Sequence, residues 1–296
     1  MRYELVRILA PEFAVDILCQ VLNVSRTAYY RYLRGGSYQL SPEKSEHQRL
    51  VMQVFVEHKR RYGSRRIRAE LQAKGHSVGR HQVRTLMRAV DLQAIQPRSF
   101  VPRTTNSGHG KGYWPNLLLD QPLPQAPDLV WVSDITYLPL ANGKWGYLAT
   151  WMDLYSRRVV GWQVGETMED ELVVVPLRRA LQLRQPAEGL IIHSDRGGQY
   201  VSTELKELAR LWQIRPSMSR ADDPYDNAFA ESLWSRLKAE LLEGGAFLNM
   251  EDAHTEIFDY IEVYYNRVRK HSSLGYKSPE QFEQEYFTNL TNSVCR

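Results

Sequence analysis

The stretch 189–200, "GLIIHSDRGGQY", sets an acidic residue, Asp195, directly behind a short apolar run. Gly189 to Ile192 read as a buried strand, and the Asp-Arg-Gly-Gly that follows reads as the turn that ends it. Taken alone, Asp195 reads first as the cap of a turn or helix. Its surroundings shift that reading toward chemistry.

Upstream, "LVWVSDITYLPL" (129–140) alternates and is rich in β-branched and aromatic residues, and "NGKWGYLATWMDLYSRRVVGWQVG" (142–165) reads as two strands that turn near Ser156 and Arg157. Together they predict an antiparallel meander. "MEDELVVVPLRRALQLR" (168–184) has helical length, with Pro176 either kinking it or sitting in its early turns. "STELKELARLWQI" (202–214) is an amphipathic helix capped by Ser202 or Thr203, and a last helix runs from about Asp226 through "AFAESLWSRLKAELL" (228–242). Three antiparallel strands followed by helix, strand and helix is the order of an α/β domain with a mixed sheet. Trp131, Trp145, Trp151 and Trp162 are expected in its core.

Within that order Asp134 falls midway along the first strand, Asp195 ends the fourth, and Glu231 lies on the late helix. If the first and fourth strands are neighbours, two carboxylates meet at the strand ends and the helix brings the third. Three carboxylates without a cysteine or histidine cluster suit Mg²⁺ or Mn²⁺. Two such ions, about 3.5–4 Å apart, serve in-line displacement at phosphorus. Asn227, one turn before Glu231, either orients that carboxylate or caps the helix. His193 is read as a supporting residue, Arg196, Gly197 and Gly198 as shaping the loop, and Gln199 and Tyr200 as touching DNA or packing the turn.

The charge pattern points to a partner. From Lys59 to Arg103 twelve Lys or Arg stand against Glu70 and Asp91, a net +10 on a chain of net +4, so the remainder carries −6. A basic segment on an otherwise acidic chain is a footprint for a polyanion, nucleic acid first. The segment also has a shape. In "GSRRIRAELQAKGHSVGRHQVRTLMRAVDLQA" (63–94), Ile67 and Leu71, a stop at Gly75, and then Val83, Leu86, Met87 and Val90 make two amphipathic helices joined by a turn. Arg80, Arg84 and Arg88 repeat every four residues along the second, and Arg65 and Arg66 open the first. "AVDILCQVLNVSRTAYYRYLR" (14–34) repeats the pattern, with a turn at Asn23 and Ser25 as N-cap. Near the other end, Arg267, Arg269, Lys270 and Lys277 are expected on DNA, and Tyr264 and Tyr265 in packing.

These readings divide the chain into a helix-turn-helix-like segment (1–42), a basic helix-turn-helix domain (43–96), a Pro/Gly/Ser-rich linker (97–127), a catalytic core (128–240) and a helical, basic extension (241–296). No apolar stretch nears the roughly 18 residues of a membrane span, and the N-terminus lacks a signal-peptide pattern, so a cytoplasmic, nucleoid-associated location is expected. Cys19 and Cys295 are too far apart in sequence for zinc-ligand spacing and suggest no disulfide.

"WVSDITY" (131–137), "HSDRGGQY" (193–200), "DDPYDNAFAESLWSRLKAEL" (222–241) with 35 residues between Asp195 and Glu231, and "YNRVRKHSSLGYKSPEQFE" (265–283) together resemble the second-reading-frame transposase of the IS3 insertion-sequence family, with its DDE integrase core. "RRYGSRRIRAEL" (60–71) is similar to the helix-turn-helix segment before that core. The resemblance implies an RNase H-like core with a mixed five-stranded sheet, in which Asp134, Asp195 and Glu231 bind two Mg²⁺ or Mn²⁺ ions. It implies recognition of terminal inverted repeats, 3′-end cleavage, strand transfer to target DNA, and a circular intermediate. It also implies a basic residue at Lys238, seven positions and roughly 10.5 Å along the helix from Glu231, that contacts the element end. A homo-oligomer on DNA is expected. The family's active form is commonly a fusion whose upstream part supplies a helix-turn-helix and leucine zipper, and no sustained heptad pattern precedes Tyr3, so such a partner is expected too. Two rivals use the same residues: an RNase H-like structure-selective nuclease without strand transfer, and a non-catalytic DNA-binding regulator.

Overall fold

The computed structural model describes residues 2–35, 41–96, 112–220 and 228–294, with only the backbone described for 228–231 and 294. The chain begins with three short helices, α1 (Arg2–Leu9), α2 (Val15–Val21) and α3 (Arg26–Leu33), around Val6, Leu18, Cys19 and Tyr29. Asn23 turns the chain with a left-handed φ of 49°, and the Ser25 hydroxyl accepts from the Ala28 N–H at 3.4 Å to start α3. The expected helix pair therefore forms, with α1 packed against it.

The basic domain is likewise three helices: α4 (Pro42–Glu57), α5 (Ser64–Ala73) and α6 (Arg80–Ala89). α4 is not among the helices expected from the sequence; Ser41 caps it and Pro42 occupies its first turn. Gly75, at φ 86°, ends α5, with its N–H on the Gln72 carbonyl and the His76 N–H on that of Leu71. Val51, Val54 and Phe55 of α4 close over Ile67, Leu71, Val83, Leu86 and Met87.

The second half of the chain is built on five strands: β1 (Val130–Pro139), β2 (Trp145–Asp153), β3 (Val159–Gly165), β4 (Ile191–Ser194) and β5 (Arg215–Met218), in the order β3-β2-β1-β4-β5. The first three form the expected antiparallel meander, and β4 and β5 run parallel to β1. The 154–158 turn is tied by Asp153, whose Oδ1 accepts from the Tyr155 and Ser156 amides. Strand alternation sorts the core. Trp131 and Ile135 face α7 (Glu171–Arg184) and α8 (Thr203–Leu211), whereas Val130, Val132 and Leu138 face α9 (Ala228–Leu242) and α10 (Met250–Phe258). Pro176 sits inside α7, where the helix lies directly on β3.

Three expectations change. Residues 112–127, read as linker, partly pack on the sheet: Trp114 and Leu118 join the two core layers, and the Met218 amide bonds the Pro115 carbonyl. The other part of that stretch, 97–111, lies outside the described residues. The core does not stop at 240, because Phe247, Ala253, Ile257, Tyr260, Ile261 and Tyr265 are buried in the same layer as α9. A π-helical segment, Asp259–Tyr265, runs into Asn266, whose side chain bonds both the N–H and the carbonyl of Val159 on β3. Of the four tryptophans, Trp131 and Trp151 are fully buried and Trp162 half-buried, but Trp145 is 50% exposed at the start of β2, where the sheet ends. A last helix, α11 (Pro279–Val294), follows, and among the described residues no helix is long and apolar enough to cross a membrane.

A Cβ on Gly161 would stand 2.5 Å from the Pro176 carbonyl oxygen and 3.1 Å from its carbon. Gly161→Ala is expected to force α7 off β3 and lower the unfolding free energy by about 2 kcal/mol, read by chemical denaturation.

Candidate active site

The site starts from a register. β1 and β4 pair in parallel with Val130 opposite Ile191, Trp131 opposite Ile192 and Val132 opposite His193. Two residues further along each chain stand Asp134 and Asp195, so the two aspartates fall level on neighbouring strands, whose spacing in a sheet is about 4.8 Å. β4 ends at Ser194, and Asp195 opens the loop. Its Oδ1 accepts from the Gly197 N–H at 3.0 Å, which folds the loop back beneath the carboxylate. Asp134 Oδ1 accepts from the Ile135 N–H at 2.8 Å.

Helix α9 closes the site. The Trp234 indole N–H donates to Asp134 Oδ2 at 3.1 Å, and the ring is buried beside Leu233 and Leu237. Lys238 is half-buried on the same helix; burial lowers its pKa, and the negative charge of Asp134 pulls the other way. Glu231 lies one turn before Trp234 on α9, but its side chain, like residues 221–227 with Asn227, is outside the described residues. Among the described residues no three His, Cys, Asp or Glu side chains are grouped to hold a metal. The described donors are the two aspartates, oxygen ligands of the kind hard divalent cations take.

The other face of β1 supports this one. Ser133 Oγ and the Tyr200 hydroxyl lie 2.9 Å apart, and Tyr200 stacks edge-on against Trp151. Burial, with Asp195 and Asp134 nearby, pushes the Tyr200 phenol well above its ordinary value, so it stays protonated. Gln199 donates to the Met168 carbonyl at 2.8 Å, and Arg196 donates to the Ser219 carbonyl at 3.0 Å while lying over the Tyr113 ring. These contacts place Gln199, Tyr200 and Arg196 in loop packing. His193 is buried, with Nδ1 2.9 Å from Ser217 Oγ on β5; that hydroxyl also accepts from the Leu117 N–H.

Integrase core domain family models match residues 124–224 and 212–279, and an HTH-like domain model matches 43–100. The chain is 40% identical over 272 residues to the insertion element IS600 uncharacterized 31 kDa protein of Shigella sonnei, covering 91% of this chain and 98% of that one. It is 35% identical over 288 residues to transposase InsF for insertion sequence IS3A of Escherichia coli K12, covering 96% and 99%. The chain belongs to the IS3 family of insertion-sequence transposases. A solved structure similar to the transposase is the HTLV-2 integrase catalytic core domain in complex with magnesium, at 17% identity and TM-score 0.41, covering 54% of this chain and 98% of that one.

The transposase's basic residues divide into two groups. Arg80, Arg84 and Arg88 are exposed on the side of α6 opposite Val83, Leu86 and Met87, and Arg65 and Arg267 are exposed as well. Arg66, Arg269 and Lys270, expected on DNA, face inward instead. Arg269 is fully buried, with Nε 2.9 Å and Nη2 2.5 Å from the Glu240 carboxylate. Arg66 donates from Nε to the Lys270 carbonyl at 2.9 Å, and the Lys270 amine pairs with Glu70 at 3.4 Å. The sequence signal that could have found this was the excess of buried-type aromatics around them: Tyr62, Tyr260, Tyr264 and Tyr265.

His58 lies in the same joint, stacked on Tyr62 at 3.7 Å, with neither ring nitrogen hydrogen-bonded among the described residues. Burial lowers its pKa; Glu70 and Glu57 oppose the shift, and Lys74 and Lys270 add to it. A histidine whose folded pKa lies below its unfolded one, 6.5, adds stability above that pH and loses it as pH falls through 6.5. The melting temperature is therefore expected to fall from pH 7.5 to pH 5.5. In His58→Phe the fall should be smaller, with about 1 kcal/mol gained from removing unbonded buried nitrogens.

Proposed function

We propose that this transposase binds the terminal inverted repeats of its element, cuts one strand at each end to free a 3′-OH, and joins that end to target DNA. The observation that carries the reading is the level placement of Asp134 and Asp195 on adjacent parallel strands, with α9 bonded to Asp134 through Trp234 and carrying Glu231 and Lys238. Asp134, Asp195 and Glu231 would hold Mg²⁺ or Mn²⁺, two ions per site. Bound there, the ions would supply activation of the attacking oxygen and stabilisation of the leaving one.

The chain's own groups do the positioning. Trp234 and the Ile135 amide orient Asp134, and the Gly197 amide orients Asp195. Lys238, its charge next to Asp134, would hold the phosphate beside the cut bond. His193 steadies β4 against β5, and Asn227 would orient Glu231 or cap α9. Arg80, Arg84 and Arg88 would run along α6 into the DNA groove, with Arg65 and Arg267 on flanking phosphates. A homo-oligomer would bring two ends to two sites, with an upstream helix-turn-helix and leucine-zipper partner or fusion aiding end recognition.

On labelled duplexes carrying the ends of its element, with Mg²⁺, the wild type is expected to give both cut and joined products, and Glu231→Gln neither. Cutting without joining would favour a structure-selective nuclease; DNA binding without either would favour a regulator. Trp234→Phe, which removes the donor to Asp134, should slow cutting about tenfold. Arg84→Ala should lower the salt dependence of DNA binding by about one unit of slope.

A further inference from the structure

Within the basic motif that opens the second helix-turn-helix, Arg60 to Arg66, the side chains of Arg61, Tyr62 and Arg66 turn toward the rest of the protein, whereas Arg60 and Arg65 are exposed. Arg61 is buried; its guanidinium lies 4.6 Å from the Tyr264 ring centre and 5.1 Å from that of Tyr260. Its Nε donates to the Glu240 carbonyl at 3.3 Å. That carbonyl belongs to the last turn of α9, where helix carbonyls lack an intrahelical partner and the helix dipole favours a cation. The Tyr62 hydroxyl donates to the Val268 carbonyl at 3.3 Å and accepts from the Lys270 N–H at 2.7 Å. Arg66 completes the contact, 2.9 Å from the Lys270 carbonyl and 3.9 Å from the Glu240 carboxylate.

Glu240 is the hub of this joint. Burial works against its charge, but Arg269 and Tyr260 bond it, Arg66 adds its charge, and the carboxyl is held below the usual range. Glu240 lies two residues after Lys238 and nine after Glu231 on the same α9, roughly 13.5 Å along a stiff helix. One end of that helix faces Asp134 and the other is gripped by the DNA-reading domain.

We propose that Arg61, Tyr62 and Arg66 are positioning residues that clamp the C-terminal turn of α9, so that the helix-turn-helix domain and the catalytic helix move as one body. These three residues are then an intramolecular lock, and the DNA-facing charge of the domain is left to Arg65 and to α6. A phosphate contact needs an exposed cation, and Arg61 has its charge against two tyrosine rings and a carbonyl. This inference rests on the transposase reading above for its catalytic consequence, but the lock itself does not.

The test uses the full chain, with Arg61→Met and the milder Tyr62→Phe, which keeps the stack on His58, set against Arg84→Ala. Without DNA, amides of residues 236–243 should exchange about tenfold faster in the clamp variants while those of α6 keep their protection. With element-end duplexes, the clamp variants should keep the wild-type affinity and salt slope, whereas Arg84→Ala loses about one unit of slope. Cutting at saturating DNA should fall about tenfold in the clamp variants. Unchanged exchange in α9, or a slope that falls in Arg61→Met as it does in Arg84→Ala, overturns the lock. Unchanged cutting at saturating DNA overturns its positioning role. If the wild type cuts nothing, the transposase chemistry fails instead, and the exchange and salt-slope results still decide the lock.

Discussion

The parallel pairing of β1 with β4, with Val132 opposite His193, is the constraint on which the site depends. A slip of one residue in that register would turn Asp134 to the α7 side of the sheet. It is held by packing on both faces: Trp131 and Ile192 under α7 and α8, Val130 and Val132 under α9 and α10. His193 reaches across to Ser217 and so ties β4 to the edge strand β5 as well. The aspartates therefore sit where two hydrophobic layers meet, and the backbone amides of Ile135 and Gly197 need only aim them.

Helix α9 carries this order out of the sheet. Its Trp234 binds Asp134, its Lys238 faces the same carboxylate, and its Glu240 enters the buried pair with Arg269. Removing one member of a buried pair of this kind costs about 3–5 kcal/mol, since the other charge is left without compensation. Around that pair gather residues from three separate parts of the chain: Arg61 and Arg66 from the helix-turn-helix domain, Tyr260 from the π-helical segment, and Lys270 beyond it. The π-helical turn matters here. It sets Tyr260, Ile261 and Tyr265 into the core and lets the Arg269 N–H reach the Tyr264 carbonyl, which brings the Arg269 side chain to Glu240.

Much of the fold was legible because strand and helix periods are local. The meander, the turn at Ser156 and Arg157, α8 with its Ser202 cap and both helix-turn-helix patterns follow from alternation, 3.6-residue stripes and turn residues. α4 is hard to see because its apolar residues crowd into one run, Leu50 to Val56, behind a polar first half instead of marking a helical stripe, and β5 because four residues containing Pro216 make no periodic signal. The chain after 240 was read as an appendage because its core role lies in contacts with β1, β2 and β3, far away in sequence.

The sequence by itself determined where three carboxylates fall: Asp134 in a strand, Asp195 at the end of another, Glu231 on a helix, with spacing and flanking residues that resemble one family. It also determined that a strongly basic helical domain precedes them. Only the tertiary structure decided which cations face outward. Arg66, Arg84, Arg269 and Lys270 carry the same kind of charge and sit in similarly basic stretches, yet Arg84 is exposed on α6 while the other three are enclosed by Glu70, Glu240 and a cluster of tyrosines. The reason is physical: a side chain's charge is set by its own chemistry, but its partner is set by what the rest of the chain folds against it.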